Sequence, residues 1–239
     1  NPVRKLRAID DKMIKNILNL GDAALYCDFG QDVNKTINSN VIKYYNNIKK
    51  LNIESINNIT PSYNKLIISF DLNKIKFNEL KNIIEKIHID DDEKLLGKQI
   101  EIPVCCEEPY SLDLSELERK LNLTKEIILN NFFNNEYFCY MTGFIAGMPF
   151  LGDINESLRA KRLETPRVKV PKGSVGITEQ FTNIYTFESP GGWNIIGNTP
   201  LKVFDSSKEI EPNLINPGDT VLFKRISKEE YLNYEWKYF

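Results

Sequence analysis

Four segments concentrate glycine, proline and aromatic residues beyond what simple folding requires: Gly143–Gly152 (GFIAGMPFLG), Pro166–Gly176 (PRVKVPKGSVG), Ser189–Trp193 (SPGGW) and Ile196–Pro200 (IGNTP). Glycine-rich turns between strands present backbone N–H groups to a small anion such as a carboxylate. Arg167 adds a guanidinium suited to a bidentate carboxylate contact, and Ser174 or Tyr185 a neutral hydrogen bond. Gly191 and Gly192 supply the turn backbone and Trp193 a flat wall beside it. The competing reading is structural: tight barrel corners need these residue types with no ligand present.

Other chemistries find little support. His88 is the single histidine, so neither a Cys₂His₂ zinc site nor a histidine-bearing facial triad can be assembled. Any Ser-His-Asp or Cys-His mechanism would have to use His88, which follows a helix beside the acidic run Asp90-Asp91-Asp92-Glu93. Cys27, Cys105, Cys106 and Cys139 contain no C-x-x-C, and four free thiols in a reducing cytosol are expected, with Cys105 and Cys106 buried at a strand end. Asp153, Glu156, Glu179, Glu188 and Asp219 flank the turns, and none stands out as a general base. Gly143–Gly152 is not a Walker A loop, since no G-K-[ST] follows, nor a Rossmann fingerprint, since no helix opens after it.

The elements that must position these turns fall into two textures. The first reads β-α-β-β-α-β: strand Ala23–Phe29, helix Val33–Leu51, strands Ser55–Ile59 and Lys65–Phe70, helix Phe77–Ile87 and strand Gln99–Val104. That order is the split βαβ pattern of a ferredoxin-like sheet with two helices on one face. The second opens with helices Asp113–Leu121 and Thr124–Phe133, the first announced by a capping box, Asp113 with Glu116 or Ser115 with Glu118. Short β runs then alternate with Gly/Pro turns: Tyr137–Phe144, Ser174–Ile177, Ile184–Phe187, Trp193–Ile196, Leu201–Phe204 and Thr220–Arg225. Many short strands with strong turn chemistry indicate a closed or nearly closed β-barrel, and the aromatic tail Tyr231–Phe239 is expected to cover the barrel or a partner. The expected class is α+β, with an N-terminal domain over residues 1–97 and a barrel domain over 98–239 that carries a short helix pair at 113–133.

Composition narrows the partners. With 31 Lys+Arg against 33 Asp+Glu the formal charge is −2, which argues against a protein held mainly by nucleic-acid phosphates. The helix pair resembles a helix-turn-helix only superficially, because its second helix offers Lys125 as its sole cation. No apolar run reaches the ~18 residues of a membrane span, and residues 1–12 lack a signal-peptide core. A soluble cytoplasmic protein is expected.

The ordered series Gly21-Asp22-Ala23-Ala24-Leu25, Pro61–Leu66 (PSYNKL), Ile102–Cys105 (IPVC), Tyr140–Phe144 (YMTGF), Pro149-Phe150-Leu151, Pro166-Arg167, Val170–Ile177 (VPKGSVGI), Ser189–Trp193 (SPGGW), Ile196–Pro200 (IGNTP) and Pro217-Gly218-Asp219 resembles the bacterial 5-oxoprolinase B-subunit family. That family is also described as allophanate hydrolase subunit 1, and it includes an inhibitor of a sporulation histidine kinase. The resemblance implies a small ferredoxin-like α/β N-terminal domain followed by a cyclophilin-like barrel. It also implies partners resembling the C-type and A-type subunits of 5-oxoprolinase in a hetero-oligomer, which together open 5-oxo-L-proline to L-glutamate with ATP. This chain would then hold a small-molecule substrate while binding no ATP, metal or other cofactor itself. Two alternatives remain open: a binding protein that inhibits a sensor histidine kinase, and a component of a urea or amide carboxylase or allophanate hydrolase system. The sequence departs from the family pattern where Phe132 replaces an expected His, Ala146 a turn proline, Phe181 a Gln, and Glu107-Glu108 a glycine pair.

Overall fold

The computed structural model describes residues 13–89 and 97–234. The chain divides into two compact units, Asn1–Leu95 and Leu96–Phe239. In the first, β1 (Asn16–Asn19), β2 (Ala24–Asp28), α1 (Lys35–Leu51), β3 (Ile56–Pro61), β4 (Lys65–Phe70) and α2 (Phe77–Glu85) follow one another. The strands form an antiparallel sheet in the order β1-β2-β4-β3. Strand alternation directs Leu25 and Cys27 of β2, and Leu66, Ile68 and Phe70 of β4, into one core with Val41, Tyr44 and Ile48 of α1 and Leu80 and Ile84 of α2. Helix α1 begins after Asn34, whose side chain accepts a hydrogen bond from the Ile37 N–H at 3.0 Å. It ends at Asn52, which takes the left-handed conformation at φ 45°.

The strand order corrects the expected one. Gln99–Val104 does not complete this sheet; its place beside β2 is taken by β1, with Ile17 opposite Cys27. The segment NILN of β1 buries only Ile17, so it carries no alternation to announce a strand. It is extended because its neighbour β2 supplies the ladder, a tertiary effect that local propensity does not contain.

The second unit contains β5 (Gln99–Cys105), α3 (Leu114–Leu121), α4 (Lys125–Phe133), β6 (Glu136–Thr142), β7 (Pro149–Gly152), a 3₁₀ turn (Glu156–Leu158), β8 (Arg167–Val170), β9 (Ser174–Thr178), β10 (Phe181–Ile184), β11 (Ser189–Gly191), β12 (Asn194–Asn198), β13 (Thr220–Ile226) and α5 (Lys228–Leu232). Seven strands close a barrel in the order β10-β7-β6-β13-β5-β12-β9, while β8 and β11 pair separately as a two-stranded ribbon. Strand β5 runs parallel to β13 over its whole length. The mixed α/β architecture with its closed barrel is the expected class. Three short strands, β7, β8 and β11, lie inside segments that read as turns, because three or four residues are too few to display a period of two. The run Ile184–Phe187 is a strand only at its first residue, and Leu201–Phe204 makes just the isolated bridge Phe204–Asn213.

The barrel interior is filled by Ile102, Val104, Cys139, Leu151, Val175, Ile177, Ile184, Ile196 and Val221, against which α3 and α4 press Leu114, Leu117, Ile128, Leu129 and Phe132. The helix pair is therefore a packing element. Phe132 is wholly buried. Its ring stacks on Phe223 at 4.9 Å and meets Tyr137 at 5.2 Å, and the Tyr137 hydroxyl donates to the Phe132 carbonyl at 2.8 Å. The four cysteines are free and buried, and burial pushes the Cys106 thiol up to about 12. His88 lies exposed beyond α2, and the acidic run 90–93 and the tail residues 235–239 fall outside the described residues. No helix among the described residues is long and apolar enough to cross a membrane.

Because Phe132 packs α4 against the barrel strands β6 and β13, Phe132→Ala is expected to cost about 3–5 kcal/mol in denaturant unfolding. Phe132→Leu should lose less than Phe132→His, which would bury an unpaired imidazole in the same apolar cluster. Equal losses for Leu and His would show that the site is not closed to polar groups.

Candidate functional site

The site begins with one buried carboxylate. Asp113 stands at the N-terminus of α3 but makes no cap hydrogen bond with its side chain, and neither expected capping pair forms at this helix start. Instead the carboxylate reaches out of the helix. Its two oxygens accept from both terminal nitrogens of Arg167 at 2.9 and 2.5 Å, and Oδ2 also accepts from the Ile195 N–H at 2.7 Å. The Asp113 N–H donates in turn to the Ile195 carbonyl at 2.9 Å. Glu118, the other candidate capping acid, accepts from the Lys125 N–H at 2.6 Å and so ties α3 to the start of α4.

Arg167 is thereby paired internally. Its residue is the register partner of Gly191 across the β8–β11 ribbon, so the ion pair fixes the SPGGW strand from below. Gly191 is buried, and a Cβ built there would stand 2.2 Å from the Tyr185 hydroxyl oxygen, so only glycine admits that hydroxyl against the turn. Tyr185 itself is buried among Met148, Val170 and Ile195. Burial pushes its hydroxyl up, against the opposing influence of the Asn183 amide, the Trp193 backbone and the Arg162 and Arg167 guanidiniums. Asn183 is buried too, donates to Met148 Sδ at 3.5 Å and leaves its Oδ1 without a partner among the described residues. Trp193 is partly buried and meets Phe150 edge to face at 5.7 Å.

The structure thus brings Arg167, Tyr185, Gly191, Gly192 and Trp193 together, with the Arg167 guanidinium on Asp113. Ser174 is placed differently: buried in β9, its hydroxyl lies 3.5 Å from Asn198 Nδ2, and Asn198 Oδ1 accepts from Tyr231 at 2.8 Å. The cation that faces the glycine pair from outside is Arg162, which sequence reasoning passed over. Its Nε and Nη2 lie 3.5 Å from the point where a Gly192 Cβ would stand. No carboxylate among the described residues lies within 4 Å of it. The strap that carries it is pinned: the Leu163 N–H donates to the Gly192 carbonyl at 2.7 Å, and Asn194 Nδ2 to the Lys161 carbonyl at 3.0 Å. Those pairings are tertiary, and the segment RAKRLET has no periodicity to signal them.

The departures from the family pattern are filled by apolar packing or by short-range contacts. Phe181 meets Tyr140 edge to face at 5.6 Å. Tyr140 donates to Asp153, and Gln180 Nε2 donates to the same carboxylate at 3.1 Å, so this acid too is engaged internally. The Ala146 carbonyl accepts from Thr186 at 2.7 Å.

Removing the Asp113 carboxylate leaves Arg167 and the Ile195 N–H without their acceptor. Asp113→Ala is expected to destabilise the second unit by about 2–4 kcal/mol, below the range for a fully enclosed pair because Arg167 is partly exposed. Asp113→Asn, which keeps one acceptor, should lose less. Thermal and denaturant melts of the two variants check this, and wild-type stability in Asp113→Ala would show that the pair does not hold the turn.

The carboxyltransferase domain family, subdomains C and D, matches residues 15–215 of the chain. The B-type subunit of 5-oxoprolinase from Bacillus subtilis (strain 168) is 32% identical over 231 residues, covering 92% of this chain and 96% of that protein. The crystal structure of TTHA0988 superposes with a TM-score of 0.77 at 27% identity, covering 85% of this chain; the chain spans only 40% of that one. The Kluyveromyces lactis urea amidolyase structure shares the fold, with a TM-score of 0.74 at 18% identity over 93% of this chain and 16% of that one. A family match over most of the chain, together with a relative aligned nearly end to end, leads to one assignment: the chain belongs to the 5-oxoprolinase B-subunit family, within the carboxyltransferase subdomain C and D family.

Proposed function

We propose that this chain is a member of an ATP-dependent complex that opens a small cyclic amide bearing a carboxylate, 5-oxo-L-proline, to L-glutamate. The observation that carries the reading is the uncommitted Arg162 guanidinium facing the buried Gly191-Gly192 turn, with Tyr185 and Trp193 beside it. A guanidinium with no acid beside it, next to a glycine turn, suits one carboxylate. Arg167, internally neutralised by Asp113, acts as a positioning residue for that receptor. The lactam carbonyl is unreactive, so the complex would transfer the γ-phosphoryl of ATP to the amide oxygen. Water then adds to the carbonyl carbon, the ring C–N bond breaks as the nitrogen takes a proton, and a second water releases phosphate from the acyl phosphate so formed. Partners of the C and A types would supply the groups this chain lacks. The family's carboxyltransferase description favours a second reading, a component of an amide carboxylase, which would require a biotin-bearing partner.

The test is reconstitution of the co-expressed complex with 5-oxo-L-proline and ATP, reading glutamate release. Omitting this chain should abolish the activity. Arg162→Ala should raise KM roughly 10–100-fold, as loss of a charge-assisted carboxylate contact predicts, with a smaller effect on kcat. Activity unchanged without this chain ends the proposal, and inhibition by avidin moves it to the carboxylase reading.

A further inference from the structure

Arg162 also lines a half-open cleft of about 750 Å³ between the strap and α3, lined by Glu116, Lys120 and Leu121 of α3 and by the strap residues 159–165. Its charged groups are Lys120, Arg159, Lys161 and Arg162 against Glu116 and Glu164. Glu116 pairs with Arg119. Arg159 makes only a long contact of 3.7 Å with Glu156, and no carboxylate among the described residues lies within 4 Å of Lys120, Lys161 or Arg162. The walls are preformed. Asn194 accepts from Lys120 Nζ at 3.3 Å and donates to the Lys161 carbonyl, so one buried amide spans helix and strap. The Ala160 carbonyl is held by the Glu179 N–H at 2.8 Å and the Thr178 hydroxyl at 3.2 Å.

From this arrangement we infer a binding site for a polyphosphate group between α3 and the strap, adjoining the single-carboxylate receptor at Gly191-Gly192 and sharing Arg162 with it. Two ammoniums and two guanidiniums around one cleft exceed what one carboxylate neutralises. They suit the several oxygens and higher charge of a di- or triphosphate, with guanidinium forks binding oxygens in pairs and ammoniums acting as point charges. The volume is that of a small-molecule site. Leu121 and Leu163 line the same cleft, so a nucleoside attached to the phosphates would find apolar surface there.

The site is tested on the isolated full chain, which needs neither partner nor turnover, so its failure is separate from failure of the amide-hydrolysis reading. Titration calorimetry with inorganic tripolyphosphate and with a nucleoside triphosphate should show one saturable site at low salt. Lys120→Ala combined with Lys161→Ala should weaken it at least about tenfold and flatten its salt dependence. Lys169→Ala combined with Lys224→Ala, which removes two ion-paired cations outside the cleft, should change affinity less than about twofold. Tighter binding of the nucleotide than of tripolyphosphate assigns the apolar side to the nucleoside, and equal binding assigns the site to the phosphates alone. Absence of saturable binding below about 1 mM, or equal losses in the two double variants, overturns the inference.

Discussion

A carboxylate removed from water needs partners for its lone pairs, and at Asp113 those partners come from separate parts of the chain. The acid starts a helix, its guanidinium partner belongs to the β8–β11 ribbon, and its third donor is the backbone of β12. Neither the ribbon nor β12 is adjacent to Asp113 in sequence, and one side chain sets their mutual placement. The ribbon makes only two register pairs, Ser189 with Val170 and Gly191 with Arg167, with an irregularity between them. So short a ladder cannot hold its own position, and the ion pair provides the missing constraint. Everything on the site face follows from it: the Gly-Gly turn stands where Tyr185 can press its hydroxyl against Gly191, and the strap can hydrogen-bond to Gly192 from outside.

The sequence already contained the materials for this arrangement, and what it lacked were the pairings. Turn chemistry at Pro171-Lys172-Gly173 and Asn216-Pro217-Gly218-Asp219 marks strand ends because glycine takes left-handed backbone there, φ 81° at Gly173 and 97° at Gly218, whatever the rest of the chain does. Strand type was readable in Gln99–Cys105, whose apolar residues alternate, but alternation says nothing about which sheet a strand joins. Strand β1 shows the reverse, a segment without a strand's pattern that a neighbour holds extended. Asp113 and Glu116 at a helix start look like a capping box from spacing alone. A distant guanidinium outcompeted the local N–H groups for Asp113, a charge-assisted bond replacing a weaker one.

The positions that depart from the family pattern carry a related lesson. Phe132 is fully enclosed between Phe223 and Tyr137, and Phe181 lies edge-on to Tyr140. Aromatic rings at these points contribute burial and cannot orient a polar ligand. The polar groups left on the site face are therefore the amide of Asn183, the Tyr185 hydroxyl, the turn backbone and Arg162. Asn183 is informative because burying an amide oxygen without a donor is costly, while its other end meets the Met148 thioether and the Tyr185 hydroxyl. Its position beside the Tyr185 hydroxyl places that unsatisfied acceptor within the same group of residues as the glycine pair.

Arg162 and Arg167 lie five residues apart, and residue type alone assigns them equal chemistry. What separates them is the supply of a buried acid. Arg167 has one, with both of its terminal nitrogens on Asp113, so its charge is balanced before any ligand arrives. Arg162 stays exposed, held by the backbone of its strap and by no carboxylate among the described residues, beside a turn whose glycine leaves space against its guanidinium. A charge with no acid beside it keeps its attraction for an anion, while a balanced one contributes only rigidity. Rigidity in one arginine and availability in the other are thus two consequences of where a single aspartate lies.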